Sequence, residues 1–285
     1  MSAPLRVAFQ GELGAFSEAA VYAFFGTAEP VPRPDFADVG RAVVDGDTDY
    51  GLLPIENTLA GSVVASYDVL ATSPLSVVGE VITPIHHCVL GVPGASLELL
   101  TSIRSHPVAL AQCTRFLQSR PGVRAVAVYD TAGAAKDVAA SGDPAIGAIA
   151  GRHAAARYGL QILAADVEDR GDNQTRFLVV QRDNAGPAQR PIGRSGHAGA
   201  MRTTLLVETP NEPGALVRVL TPFADRGVNL SKLESRPTGE PWTYRFFIEL
   251  DVGLDSTDAA AALCAVQDSG VLVRSLGSYP RWREH

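Results

Sequence analysis

Thr175, Arg176 and Phe177 follow one another in the run DNQTRFLVV (172–180), at the point where a strand-like stretch begins. The triplet supplies a hydroxyl, a fixed cation able to grip a carboxylate bidentately, and an aromatic wall. Three further segments offer polar groups in comparable settings. GELGAFSE (11–18) sets two glycines and Ser17 between a strand and a helix. Backbone N–H groups and the helix dipole there can receive an anion, with Ser17 as the N-cap candidate. The spacing is not GxGxxG, so a dinucleotide is not indicated. In LLPIENTLAGSV (52–63), Glu56, Asn57 and Thr58 stand where a buried strand gives way to a helix. RSHPVALAQC (104–113) and DTAGAA (130–135) put small polar residues ahead of helices, an arrangement suited to carboxylates. The neighbours His86 and His87 do not read as a metal site, because adjacent strand residues point to opposite faces. No metal or other cofactor is implied. Taken singly, each segment has a plainer reading: a tight turn at 11–18, a cap at Asn57 or Thr58, a structural or capping role for His106, a surface cation at Arg176.

The elements that must position these groups alternate. Strand-like runs at Leu5–Gln10, Tyr50–Ile55, Leu75–Pro84, His87–Val92, Ala125–Tyr129, Ala145–Ala150 and Arg176–Gln181 are interleaved with helix-like runs. The helices are expected at Ser17–Phe25, Phe36–Val44, Asn57–Ala71, Val108–Ser119, Thr131–Ala140 and Arg152–Tyr158, the last closed by Gly159. Such alternation predicts an α/β unit of mainly parallel sheet, in two lobes with a cleft between them. RDNAGPAQRPIGRSGHAGA (182–200) lacks periodicity and reads as a linker. Beyond it the order changes to βαββαβ: Thr203–Glu208, a helix with Pro213 at its first position and Gly227 at its end, a hairpin of Val228–Ser235 and Trp242–Asp251, a helix at Asp255–Asp268, and Val271–Ser278. That order is ferredoxin-like, and the edge strands of such a unit commonly pair with a second copy.

Composition narrows the class of partner. In 285 residues, 46% apolar content and 19% charged content suit folded domains, and the length suggests two of them. A formal charge of −7, with scattered arginines and only Lys136 and Lys232 as lysines, argues against nucleic acid. Three separated cysteines, Cys88, Cys113 and Cys264, fit reduced thiols, and no apolar run reaches the roughly 18 residues of a membrane span. A soluble cytoplasmic protein is expected.

Together the segments resemble the prephenate dehydratase family. PIENT-x-x-G, SHP-x-ALAQC, DTAGAAK and N-x-TRF occur in the family's order, and NEPGAL (211–216) with LESRP (233–237) is similar to the two effector motifs of its ACT regulatory domain. The resemblance implies a bilobal, periplasmic-binding-protein-like catalytic domain over 1–182, a linker over 183–200 and an ACT domain over 201–285. It implies that Thr175, Arg176 and Phe177 are catalytic, and that Ser17, Asn57, Thr58, Gly61, Ser105, Gln112, Thr131, Ala132 and Asn173 bind substrate. It implies L-phenylalanine as effector, held by Asn211, Pro213, Gly214, Ala215, Leu216, Glu234, Ser235, Arg236 and Pro237, in a homodimer or homotetramer. The chain departs from the family at Glu12 (often Pro), Ala15 (often Thr), Thr58 (usually Ser), Val108 (usually Gln) and Asp130 (usually Ser), all near expected substrate contacts. Dehydration of arogenate, and non-catalytic amino-acid sensing by a bilobal fold, are the competing readings.

Overall fold

A computed structural model describes residues 4–183, 185–186 and 200–282. Most of the expected linker therefore lies outside the described residues.

Three sheets organise the chain. The first takes β1 (Arg6–Gln10), β2 (Glu29–Arg33), β3 (Tyr50–Asn57), the short β4 (Gly61–Ser62) and β5 (Leu75–Pro84), and it recovers a late strand, β11 (Gln174–Arg182). Its order is β2-β1-β3-β11-β5, with β4 paired to β3. The second holds β6 (Cys88–Gly91), β7 (Ser102–Ser105), β8 (Arg124–Ala127), β9 (Ile146–Ala150) and β10 (Gln161–Ala164), in the order β10-β6-β9-β7-β8. Only β2-β1-β3 and β8-β7-β9 are parallel, and the remaining pairs run antiparallel. The sheets are thus mixed rather than mainly parallel. Parallel neighbours need a crossover connection. Helices α1 (Phe16–Phe25) and α2 (Phe36–Val44) provide it in the first lobe. In the second, α4 (Pro107–Gln112), α5 (Thr114–Gln118) and α6 (Thr131–Ser141) do so. The remaining helices are α3 (Val64–Thr72) in the first lobe and α7 (Arg152–Tyr158) in the second, the latter closed by Gly159 in the left-handed region as expected.

The chain leaves the first lobe after β5 and returns through β11. At the two crossings the Ile85 N–H donates to the Asn173 carbonyl (2.8 Å) and the Val167 N–H to the His87 carbonyl (2.9 Å). Several boundaries differ from the sequence expectation. The helix expected at Asn57–Ala71 begins only at Val64, because Asn57 Oδ1 accepts from the N–H groups of Leu59 and Ala60 and folds the chain into a turn. The helix expected at Val108–Ser119 breaks at Cys113 into α4 and α5.

The third sheet contains β12 (Met201–Glu208), β13 (Leu230–Pro237), β14 (Tyr244–Leu250) and β15 (Leu272–Pro280), ordered β13-β14-β12-β15. Helices α8 (Ala215–Ala224) and α9 (Thr257–Asp268) complete the βαββαβ succession. Pro213 precedes the Gly214 N-cap instead of opening α8. Leu205, Val207, Ile248 and Leu250 face the two helices. The opposite face of the same sheet sends Leu206, Phe247, Leu276 and Tyr279 into one cluster with Val39, Leu53, Tyr67, Leu70 and Val77 of the first lobe. The C-terminal unit is therefore bonded to the first lobe by shared apolar burial, with Tyr67 and Phe247 meeting edge to face at 4.8 Å between ring centroids. A buried aromatic of this size contributes on the order of 1.5–3 kcal/mol.

Close backbone approach marks the same seam. Gly277 on β15 has φ +145, and a Cβ built there would overlap the carbonyl oxygen of Val77 on β5. Gly277→Ala is expected to lower stability by about 2 kcal/mol or more through strain and overlap together. Denaturant unfolding of the full chain measures this, and a variant within about 0.5 kcal/mol of wild type would show that the seam yields.

Candidate active site

A cavity of about 570 Å³ opens between the lobes. Strand β11 supplies Thr175 and Phe177, which share a face because they are two residues apart. Strand β3 supplies Pro54 and Asn57, whose parity should separate them. A register shift reunites them: Phe177 stands opposite Pro54 and Arg176 opposite Glu56, leaving Ile55 bulged between.

Four helices direct their first turns at this space. Phe16 and Ser17 open α1, Phe36 opens α2 behind Asp35, Val108 and Ala109 lie in α4, and Thr131 opens α6. Unpaired N–H groups and positive dipole ends at such turns favour anions. No lysine or arginine occurs among the described residues that line the cavity. Asp35 and Asp130 cap α2 and α6 by accepting from the Asp38 and Gly133 N–H groups, each at 2.7 Å. His106 caps α4, its Nδ1 accepting from the Val108 N–H at 3.3 Å, so the capping role expected for it is present. Burial raises the Asp130 carboxyl above the usual carboxylate range, partly offset by the N–H groups of Gly133 and Ala132.

Side-chain amides knit the floor. Because Asn57 Oδ1 is taken by two backbone N–H groups, its Nδ2 must donate. It reaches Thr175 Oγ1 at 2.9 Å, Asn173 Oδ1 at 2.7 Å and the Gln174 carbonyl at 3.1 Å. Asn173, wholly buried, donates from Nδ2 to Gln112 Oε1 at 3.1 Å, and that oxygen also meets His87 Nε2 at 2.9 Å. The two adjacent histidines part company. His86 is half exposed and bonds Glu168 at 2.7 Å, whereas the buried His87 ring stands edge to face with Phe16 at 5.5 Å. Cys113, next to Gln112, is no ready nucleophile, since burial pushes its thiol up to about 12.

Of the expected substrate residues, Ser17, Asn57, Gln112, Thr131, Thr175 and Phe177 line the cavity, and Asn173 backs it. Ser17 lines it from inside the first turn of α1, whose N-cap is Ala15 and not Ser17. The rest lie elsewhere. Thr58 is exposed and clasps the loop by donating to the Asp172 carbonyl (3.2 Å) and accepting from the Gln174 N–H (3.0 Å). Gly61 is exposed on β4, Ala132 is buried within α6, and Ser105 donates to the Ile149 carbonyl at 2.6 Å in the second lobe's core. Gln10, Phe36, Ile85 and His87 join the lining without a motif of their own, and Phe16 and Val108 join it from within the segments 11–18 and 104–113. Two departures from the family pattern acquire partners: Glu12 accepts from Lys136 Nζ (3.0 Å) and Tyr129 Oη (3.2 Å) across the cleft rim, and Asp130 makes the α6 cap already described.

Arg176 is the largest correction. Strand alternation turns it away from Thr175, through the sheet, into the seam with the C-terminal unit. There it binds Glu249 bidentately, Nη1 to Oε2 at 2.9 Å and Nη2 to Oε1 at 2.8 Å. Nη1 also reaches Glu80 at 3.2 Å, and Arg202 meets the same Glu80 oxygen at 2.7 Å. Burial alone would penalise the Arg176 cation, but the charge and hydrogen bonds of Glu249 outweigh that and hold its pKa above the ordinary arginine value. Two arginines and two glutamates, each side chain less than a tenth exposed, neutralise one another.

The expected effector residues divide in the same manner. Asn211, Ala215 and Leu216 line a hollow of about 180 Å³ together with Tyr244 and Phe246. On β13, Ser235 and Pro237 stand opposite Phe246 and Tyr244. Glu234 and Arg236 leave the other face: Glu234 accepts from Ser62 Oγ at 2.6 Å, and Arg236 grips Asp68 at 3.1 and 3.2 Å. Pro213 and Gly214 shape the turn before α8.

Comparison with known proteins gives a consistent result. A family model described as prephenate dehydratase matches residues 7–185, and one described as ACT domain matches residues 203–268. Arogenate dehydratase/prephenate dehydratase 1, chloroplastic, of Arabidopsis thaliana is 37% identical over 97% of this chain and 72% of that protein. The crystal structure of prephenate dehydratase in complex with L-Phe from Arthrobacter aurescens superposes with a TM-score of 0.86 at 34% identity, covering 97% of this chain and 90% of that one. A solved structure described as GqqA, a novel type of quorum quenching acylase, superposes with a TM-score of 0.85 at 34% identity, over 97% of this chain and 98% of that one.

The buried ion group generates a prediction. Glu249→Gln leaves a net buried positive charge and is expected to cost about 3 kcal/mol, because an uncompensated ion remains. Adding Arg176→Met restores neutrality, so the double variant should be less destabilised than the sum of the singles. Strict additivity in urea unfolding would show that the two side chains do not interact.

Proposed function

The chain belongs to the prephenate dehydratase family and carries a C-terminal ACT domain, and on that premise we propose that it converts prephenate to phenylpyruvate under feedback from L-phenylalanine. The observation that carries this reading is the convergence of four helix first turns on the cavity that Thr175 enters. Prephenate brings two carboxylates and a ring hydroxyl. The hydroxyl departs with its bonding electrons and takes up one proton to leave as water. The ring carboxylate departs as carbon dioxide, its electrons completing the aromatic ring.

Thr175 Oγ1 accepts from Asn57, so its own hydrogen is free for the departing oxygen. A threonine is a weak acid, and its contribution is a hydrogen bond that strengthens as negative charge grows on that oxygen. Helix first turns suit the carboxylates better than a guanidinium would. A strong cation on the departing carboxylate would stabilise the charge that must be lost and so raise the barrier. The position of Arg176 behind the sheet agrees with this constraint. Arogenate, the alternative substrate, would add an ammonium. Asp35, a carboxylate among the described lining residues, accepts from the Asp38 N–H through one oxygen, so the relative turnover of the two substrates decides between them. An acyl-transfer reading would need an activated nucleophile, and among the described residues no imidazole is bonded to Thr175.

Phenylalanine fits the hollow beside α8, with Leu216 and Phe246 for its ring and Asn211 for its polar end. Pairing of two chains through the edge strand β13 would complete that site in a homodimer or tetramer. The remaining face of β13 then carries the signal, since Glu234 bonds Ser62 on the cavity wall and Lys232 pairs with Glu56 at 2.9 Å.

Purified protein is expected to form aromatic product from prephenate faster than from arogenate, and turnover of neither would refute the enzyme reading. Thr175→Ala should lower kcat by about 10²–10³ with an unchanged unfolding transition. Unaltered kcat removes the hydroxyl from the reaction.

Glu234→Ala separates binding from signalling. It should keep phenylalanine binding, measured by calorimetry, while weakening inhibition of turnover. Loss of binding itself would make Glu234 a ligand contact instead.

A further inference from the structure

The hydrogen bonds on the cavity floor have a fixed direction, and following it leads to a residue that no sequence motif marks. Two backbone donors on Asn57 Oδ1 decide the orientation of that amide. Asn57 Nδ2 therefore donates, and the oxygen of Asn173 that faces it accepts. Asn173 Nδ2 must then donate to Gln112 Oε1. An oxygen that accepts from Asn173 cannot donate to the imidazole, so His87 Nε2 carries the hydrogen in the bond it makes there. In a neutral ring this leaves Nδ1 without one.

Both ends of the chain are open. At one, Thr175 accepts from Asn57 and has a hydrogen to give. At the other, His87 Nδ1 is buried without a partner among the described residues, although the ring is only 2% exposed and borders the cavity. A buried acceptor with no donor is costly unless a ligand or water supplies one. Protonation is disfavoured there. Burial lowers the affinity of the ring for a second proton, against smaller opposing contributions from Gln112 and Glu168 and a supporting one from His86. The backbone N–H of His87 engages Glu168 (2.8 Å), and Phe16 packs on the ring.

We propose that His87 is a substrate-contacting residue in which Nδ1 accepts the hydrogen of the substrate's ring hydroxyl, while Nε2–H, through Gln112, Asn173 and Asn57, holds Thr175 with its own hydrogen turned to the cleft. The inference rests on the dehydratase reading above. Prephenate at neutral pH offers one hydrogen-bond donor, the hydroxyl that leaves, and every other polar atom is an acceptor. Thr175 and His87 are a donor and an acceptor matched to that group. The bond to Nδ1 weakens as the oxygen becomes anionic, because its hydrogen grows less acidic. That contact therefore serves binding and orientation, whereas the directed chain to Thr175 serves the chemical step.

Two substitutions divide these duties, since the amide of Gln approximates imidazole Nε2 and that of Asn approximates Nδ1. His87→Gln keeps a donor toward Gln112 and loses the acceptor; KM should rise about three- to tenfold with kcat within about twofold. His87→Asn keeps an acceptor and loses the donor; kcat should fall about tenfold while KM changes little. Nitrogen-15 shifts of the wild-type ring report the tautomer without substrate, and protonated Nε2 with bare Nδ1 is expected. If wild type turns over substrate and both variants match it in kcat and KM, the proposal is overturned while the dehydratase reading stands. Nδ1–H in the spectrum overturns the direction of the chain. A wild type inactive on both prephenate and arogenate removes the substrate contact together with the function it rests on.

Discussion

Successive side chains of a β-strand leave the sheet on opposite faces, and β11 places that constraint at the centre of the molecule. Thr175 and Phe177 enter the cavity between the lobes, and Arg176 enters the seam with the C-terminal unit. One strand thus carries a cavity-lining hydroxyl on one side and the centre of a buried ion group on the other. Its neighbours follow from this. Glu80 on β5 and Glu249 on β14 meet the guanidinium, and Asn57 on β3 meets the hydroxyl. Moving β11 by one residue would exchange the faces and bring a buried cation into the cleft.

The electrostatics of the cavity are built from partial charges. Helix first turns and directed amides are neutral groups held in fixed orientation, and groups of this kind favour anions without the desolvation cost of buried arginines. For a reaction in which one carboxylate must lose its charge, this distinction matters. Arginine charges are kept behind the sheet, where two arginines and two glutamates cancel, and the cavity lining holds the Asp35 carboxylate but no lysine or arginine among the described residues.

Coupling between the parts follows from shared burial. Val77, Tyr67 and Leu70 belong to the same core cluster as Phe247, Leu276 and Tyr279, so the C-terminal sheet contributes to the first lobe's interior. A displacement of that sheet would be felt on β5, β11 and α3 before it reached solvent. Strand β13 repeats the arrangement of β11 on a smaller scale. Ser235 and Pro237 share a face with the hollow beside α8, and Glu234 and Arg236 hold Ser62 and Asp68.

The sequence by itself determined the two-part organisation, the bilobal α/β class, the βαββαβ order of the tail and the segments that converge on the cleft. These depend on periodicity, turn chemistry and motif order, which are local properties of the chain. It could not decide strand direction, because β11 and β5 read as apolar runs whether their partners run parallel or antiparallel. It also assigned side chains to the cleft by motif when alternation sends them elsewhere. Arg176, Glu234, Arg236 and Ser105 stand close in sequence to residues that line or border the cavity or the hollow, yet they point into a seam or a core. His87 lacked a motif altogether. Its part depends on meeting Gln112, which meets Asn173 and Asn57 from distant segments. Only tertiary structure decided these matters, since the face a side chain occupies and the direction of a hydrogen bond are fixed by what packs against it.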